Sequence, residues 1–437
     1  MIVVRPKSVS DEMTNKWARM YHTTNPARSV TFQVTDDCNL RCTYCYQHNK
    51  AHHEMSFDTA KKFADLILGF SDKKNNYTNP STSEGIIFDF IGGEPLMNVN
   101  LISQISEYIV TRMIETNHPW LNKFMFSMSS NGTLYRNPDS QKYLSRYFKV
   151  TSYGVTIDGD KETHDSCRLT CDGCGSYDLA IDAVHDMRKK GQITGSKVTI
   201  SPYNINTLDK AIQSYFEDGQ DDINLNCVFE EGWTYEHAKI LYDKLKNLAD
   251  YLIDNDLYDK VRISMFDQNR YRPMSHDDNR NWCGGTGSML AVDYKGDIYP
   301  CLRYMESSTG NDVKPLIIGH VDRGIGTLPE EQEIIDRLNA ITRRSQSTDE
   351  CWDCPIADGC AWCSAYNYES TGVLDKRVTF ICPMHKATAL ANTYYWNKAY
   401  RKIGDPDRLK VNCPEEWALQ IISKDEYDML VKLSEKD

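Results

Sequence analysis

The sequence predicts an α/β protein: a parallel sheet or open barrel, the partial (β/α)6 form, followed by a smaller cysteine-rich domain. Three observations predict it. Between residues 30 and 230, six short runs rich in β-branched and aromatic residues alternate with apolar patterns of helical period. After residue 257 that rhythm gives way to short strands and close-set cysteines. The conspicuous polar and Gly-rich motifs fall at the C-terminal ends of the predicted strands, where α/β folds gather their chemistry.

The predicted strands are SVTFQVT (29–35), GIIFDFI (85–91), FMFSMS (124–129), TSYGVTI (151–157), SKVTISP (196–202) and DINLNCVF (222–229). The first helix is SFDTAKKFADLILGF, with Ser56 as N-cap and apolar residues at helical spacing. Further helical patterns lie near 100–117, 177–190, 207–217 and 234–256. The polar loop 71–85 reads as a mobile connection. In MLAVDYKGDIYP the KGD turn signals a hairpin. The expected organisation is an N-terminal extension (1–28), the barrel (29–257), a linker (258–279), the cysteine domain (280–385) and a tail (386–437), helical at both ends and broken around GDPDRLKVNCPEE.

Composition narrows the function. A chain of 437 residues, 40% hydrophobic, can bury a large core in two or three domains. A net charge of −12 argues against general nucleic-acid binding. No apolar run reaches membrane-span length, and MIVVRPK is too short for a signal peptide, so the cytoplasm is the expected compartment. There a total of fifteen cysteines points to metal ligation rather than disulfides. They cluster at 38–45, 167–174 and 351–363; Cys227, Cys283, Cys301, Cys382 and Cys413 are scattered.

Cys38, Cys42 and Cys45, spaced C-x3-C-x2-C, follow the first strand directly. Three thiolates at this spacing can hold three irons of a [4Fe–4S] cube and leave the fourth iron open. The alternative is structural zinc with a remote fourth ligand, for which His48 or His52 is available. With Tyr44 before the last cysteine, the loop resembles the signature of radical S-adenosylmethionine (SAM) enzymes. The resemblance implies that the open iron chelates SAM. The reduced cluster then cleaves SAM, and a 5′-deoxyadenosyl radical removes a substrate hydrogen atom.

Further motifs match that family in order. IGGEPLM resembles the GGEP element: Gly92 and Gly93 permit close backbone approach, and Glu94 is a candidate acceptor for the SAM ammonium. SSNGTL resembles the ribose- and carboxylate-binding region, with Ser129 and Asn131 as candidates. GVTIDGDKETHDSCR resembles the fourth-strand element, in which Asp158 and Arg168 match and Arg168 is a candidate partner of the SAM carboxylate. SPYNINTL resembles the fifth-strand element and places Asn204 near the nucleoside.

The carboxyl third carries Cys283, Gly296, Cys301, then Cys351, Cys354, Cys360, Cys363 and Cys382. Read alone, the 351–363 group also suits a zinc ribbon. The whole series resembles the SPASM extension of some radical SAM enzymes, with one departure: two residues, not three, separate Cys360 from Cys363. The resemblance implies two auxiliary [4Fe–4S] clusters, one on Cys351, Cys354, Cys360 and Cys382, the other on Cys283, Cys301 and Cys363. The second is a thiolate short, and its open iron could take a substrate cysteine. CRLTCDGC repeats the first spacing through Cys167, Cys171 and Cys174 but lacks the aromatic residue. It reads as loop thiols, with an extra cluster ligand set as the alternative.

Within this group the chain resembles maturases of ribosomally made peptides, most of all those forming thioether links in cysteine-rich or CXXX-repeat precursors. The partners implied are a precursor peptide and an electron donor such as flavodoxin or ferredoxin. About 28 residues precede the first strand, fewer than a winged-helix leader-binding module needs, so leader recognition is expected to be by a separate leader-binding protein, by the barrel mouth, or absent. The alternatives are a carbon–carbon crosslinking maturase, a formylglycine-forming sulfatase maturase and, outside enzymes, an iron–sulfur electron carrier.

Overall fold

A computed structural model describes residues 28–192, 196–229, 232–310 and 313–436. The predicted N-terminal extension lies outside the described residues except for Arg28. The six predicted strands form in order: β1 (Arg28–Gln33), β2 (Ile86–Ile91), β3 (Phe124–Ser130), β4 (Thr151–Val155), β5 (Ser196–Ile200) and β6 (Asp222–Cys227). β1 through β4 pair in parallel in chain order, and β5 pairs in parallel with β6. A single bridge between Thr156 and Lys197 joins the two groups, and a two-residue strand, β7 (Arg262–Ile263), adds to β6. The sheet therefore curls as an open barrel interrupted between β4 and β5.

Helices cover the outside. α1 (Phe57–Ile67) starts where Ser56 accepts a hydrogen bond from Thr59 N, and buries Ala60, Phe63, Ala64 and Ile67 against the sheet. α2 (Val99–Glu115), α3 (Pro138–Arg146), α4 (Lys161–Cys167), α5 (Tyr177–Lys189), α6 (Leu208–Glu217) and α7 (Tyr235–Asp254) follow. α3 was not anticipated, because PDSQKYLSR is short, buries only Ser140, Tyr143 and Leu144 and carries few apolar residues. Along β2, Phe88 and Phe90 pack into the core while Asp89 falls on the opposite, barrel-lining face.

The predicted hairpin forms as β8 (Met289–Val292) and β9 (Asp297–Tyr299), extended by β10 (Gly319–His320) and β11 (Gly324–Ile325). β8 lies parallel to β1, Val30 opposite Leu290, so one sheet runs from β11 to β4. The cysteine-rich region thus hangs from the edge of the first barrel strand. The loop 71–85 is not free: Lys74 bridges Gly324, Ile325 N donates to Lys74 O at 2.8 Å, and Tyr77 is buried. Its polar composition suggested a mobile connection; its backbone is spent on the hairpin instead.

The remaining helices are α8 (Pro329–Asn339), the short α9 (Arg343–Gln346) and α10 (Asp349–Trp352), then α11 (Ser364–Thr371), α12 (Cys382–Ile403), α13 (Glu415–Ala418) and α14 (Lys424–Ser434). α12 begins at a cysteine and ends at Gly404 in the left-handed region, φ 69°. It packs on α7, where Tyr394 and Lys398 both donate to Asp250 at 2.6 Å. Among the described residues no helix is long and apolar enough to cross a membrane.

Candidate active site

The loop after β1 is set by backbone bonds. Asp37 Oδ1 accepts from Cys38 N at 2.8 Å, and Asp37 O accepts from Glu94 N at 2.9 Å. The second contact needs Gly93: a Cβ there would lie 2.3 Å from Asp37 O and 2.6 Å from Cys38 Cβ. The glycine pair of GGEP therefore lets its turn dock on the cysteine loop. On the other side, Arg41 N donates to Leu169 O at 2.7 Å and Thr43 N to Cys167 O at 3.0 Å, with Leu40 bridging Thr170.

Cys38, Cys42 and Cys45 line one cavity of about 560 Å³ with Tyr44, Gly92, Gly93, Glu94, Ser129, Asn131 and Arg168. Burial pushes the Cys38 thiol up to about 11 and raises that of Cys42, so ionising them requires a strong local positive charge. His48 pairs with Glu369 at 3.4 Å and His52 with Asp37 at 2.8 Å, and neither lines the cavity.

At the wall opposite, Tyr44 donates its hydroxyl to Asp158 and accepts from Arg168 Nη1 at 2.8 Å. Arg168 also pairs with Asp158 at 3.7 Å, and Asp158 accepts from Thr199 N at 3.1 Å. His164 fixes this arrangement from below: Nδ1 accepts from Asp158 N, and Nε2 faces Ser176 Oγ, which donates to Arg168 O. Burial pulls the His164 pKa down to about 3, which keeps the ring neutral. Among the described residues, the buried Arg168 Nε has no hydrogen-bond partner. A buried guanidinium with a donor to spare at a cavity wall fits a carboxylate such as that of SAM.

Glu94 is buried and accepts from Leu96 N, Ser130 Oγ and Asn131 N. Its carboxylate braces three loops, and burial raises its pKa. Asn131 donates to Asn39 in the cysteine loop at 2.8 Å. Ser129, next to last in β3, is exposed to the cavity. Asn204 does not line the cavity; it accepts from Ser201 N and donates to Thr199 O, which closes the turn after β5.

Cys351, Cys354, Cys360 and Cys382 line a second cavity of about 460 Å³. Arg343, Arg377 and Lys386 also line it. Arg377 Nη2 donates to Cys360 Sγ at 2.8 Å. Lys386 is buried one turn into α12 from Cys382, above the Trp417 ring at 4.1 Å, and among the described residues it has no carboxylate partner. Three cations against the single carboxylate of Glu350, around four thiols, fit an anionic group. Cys283, Cys301 and Cys363 form a third set, within electrostatic reach of one another and of Tyr304. The Tyr304 hydroxyl is fully buried and lacks a partner among the described residues, as a donor to a cluster sulfur would before that cluster is bound. Beside this set, Leu302 and Arg303 line the first cavity. No three Cys, His, Asp or Glu groups among the described residues close around the point a single ion would occupy.

The repeated spacing at 167–174 has a mechanical place. Cys167 is buried at the end of α4, Cys171 Sγ faces Asn39 O at 3.5 Å, and Cys174 is exposed. This loop clamps the first cysteine loop through its backbone. Replacing Cys171 and Cys174 by serine is expected to leave the iron content of the reconstituted protein unchanged, checked by iron assay on the purified variant. Cys227 is half-buried in the wall of a separate cavity shared with Cys360, and Cys413 is buried under α12.

The sequence reading missed Asp89, Lys197, Asn226, Arg303, Tyr304, Arg377 and Lys386. Asp89 alone carried a strong signal, an acid inside the apolar run IIFDFI. The others become neighbours only through the fold.

Residues 32–214 match the radical SAM superfamily model, and the chain carries a radical SAM domain. It is 24% identical to the cysteine-type anaerobic sulfatase-maturating enzyme of Clostridium perfringens, over 62% of this chain and 73% of that one. The structure of native anSMEcpe with bound AdoMet and Cp18Cys peptide superposes with TM-score 0.61 at 18% identity, covering 86% of this chain and all of that one. Streptococcus suis SuiB bound to precursor peptide SuiA gives TM-score 0.55 at 10% identity, covering 84% and 79%.

Proposed function

We propose that the protein is a radical SAM maturase that joins a cysteine sulfur of a ribosomally made peptide to a carbon in the same peptide. The observation that carries this reading is the set Cys283, Cys301 and Cys363 beside the first cavity. The other cysteines have other places: four ring the 460 Å³ cavity, three the 560 Å³ cavity, three clamp a loop, and two sit apart. Three thiols without a fourth leave a ligand place for a substrate thiolate.

When bound, SAM and a [4Fe–4S] cluster supply the agent that takes a hydrogen atom, and two auxiliary clusters supply an electron sink. Cys38, Cys42 and Cys45 would hold the first cluster. Arg168, fixed by Tyr44, Asp158 and His164, would orient the SAM carboxylate, with Ser129 at the mouth. Cys351, Cys354, Cys360 and Cys382 would hold one auxiliary cluster, with Arg377 and Lys386 offsetting its charge. Tyr304 would donate to the other. Arg303, between Tyr46 and Cys363, would face the peptide.

A second reading has one specific support: similarity to an enzyme that matures sulfatases. It predicts oxidation of a Cys or Ser in a protein rather than crosslinking. One experiment separates the readings. The anaerobically reconstituted enzyme is given SAM, reductant and a short cysteine-rich peptide encoded beside its gene. A thioether removes two hydrogens and one alkylatable thiol. Formylglycine from cysteine removes the sulfur. A carbon–carbon bond removes two hydrogens and leaves the thiol alkylatable. No mass change with any such peptide would contradict the proposed function.

A further inference from the structure

Two carboxyl groups, Asp89 and Glu94, line the cavity beside the first cysteine loop, a third, Asp158, lies behind its wall at Tyr44 and Arg168, and their surroundings differ. Glu94 accepts from two backbone N–H groups and a serine. Asp158 accepts from Tyr44, from Thr199 N and from the Arg168 charge. Both are committed to holding the structure. Asp89 is different. It sits in the middle of a row across the sheet, opposite Thr31 on β1 and Ser127 on β3. Its partners are those two hydroxyls, Thr31 Oγ1 at 3.4 Å being the longer kind of contact. Hydroxyls rotate away at small cost; backbone amides do not.

Asp89 lines the cavity with the three cysteines, and with Lys197 and Thr199 of β5 and Asn226 of β6 across the barrel. We propose that Asp89 is the proton acceptor for the substrate's reacting thiol, a role that rests on the peptide-crosslinking reading above. In that step the S–H bond breaks and an O–H bond forms on the Asp89 carboxylate. Sulfur keeps the electron pair as thiolate, and no group is oxidised or reduced. The proton passes to solvent when the product leaves.

The environment suits this chemistry. Burial is the largest influence on the Asp89 carboxyl and pushes it up to about 6, against the two hydroxyls, which lower it. An ordinary carboxylate is a poor base for a thiol of pKa about 8.5, and each unit gained narrows the gap. The charged groups facing the same cavity are Lys50, Glu94, Arg168, Lys197 and Arg303, and none of them is a principal cause of the shift. The carboxylate form is the active one, so the role is present above about pH 6 and lost as pH falls through it.

A bracing role makes a different forecast. Asp89→Asn keeps an oxygen that accepts from both Thr31 and Ser127, so mere bracing predicts wild-type behaviour. The test uses the reconstituted full-length enzyme with SAM and the cysteine peptide. The product formed per deoxyadenosine is expected to fall at least about 100-fold in D89N. D89E is expected to recover part of it. The wild-type product yield is expected to lose its acid limb near pH 6 in D89N, and an infrared carboxylic-acid band titrating there is expected to vanish. A D89N enzyme with wild-type yield and an unchanged pH profile would overturn the proposal. If the wild-type product lacks sulfur, the crosslinking reading fails, and the same ratio in D89N still decides the role of Asp89.

Discussion

Alanine at any one of Cys38, Cys42 or Cys45 is expected to abolish SAM cleavage and to lower the iron content by about four atoms per chain. The measurement is deoxyadenosine release after anaerobic reconstitution, paired with an iron assay. The effect is all or none because no other thiol and no imidazole lines the cavity. His48 and His52 are held by Glu369 and Asp37, away from the cavity. Two sulfurs cannot offset the burial that raises Cys38 to about 11 and raises Cys42 with it. The loop itself should persist in each variant. Its shape comes from Asp37, Gly93 and the backbone of residues 167–170 rather than from sulfur. A variant that loses iron yet keeps its fold would show that cluster and loop are built separately.

Cys301→Ala is the second large effect. SAM cleavage is expected to continue, while peptide modification falls to background and about four irons are lost. Cys301 is buried, and its thiol is raised by burial with further contributions from Cys363 and Cys283, so the three form one electrostatic unit. Removing one leaves two thiols beside the Tyr304 hydroxyl, which has no partner among the described residues, too few ligands for a cubane. The first cavity touches this set only through Leu302 and Arg303, so the cysteines of β1's loop keep their own geometry. Deoxyadenosine release and peptide mass, followed in the same reaction, separate the two functions. Loss of both together would mean that the sets are not independent.

The barrel was legible because its signals are local. In GIIFDFI and SKVTISP, side chains alternate or run apolar over a few residues, and each run became a strand within a residue or two of its predicted ends. The cysteine groups were legible for the same reason, as spacing within a loop. What stayed hidden was non-local. Nothing in MLAV says that it pairs with β1, more than 250 residues earlier. The loop 71–85 looked free because its partner, the turn at Gly324, lies far away in sequence. Glu94 and Asn204 matched a motif by type, while their partners give them bracing roles: Glu94 holds Ser130 and Asn131, and Asn204 closes its own turn. Asp89 was visible as a letter, but its meaning depended on the hydroxyls opposite, which only strand register reveals.

The central claim is that this barrel takes a hydrogen atom from a peptide. The most direct measurement uses a cysteine-rich peptide deuterated at the side-chain and α positions of its acceptor residues, with reconstituted enzyme and unlabelled SAM. The account predicts deuterium in the methyl group of 5′-deoxyadenosine, matched to loss of an alkylatable thiol from the peptide. Deoxyadenosine free of deuterium, beside a peptide that is nonetheless modified, would contradict it.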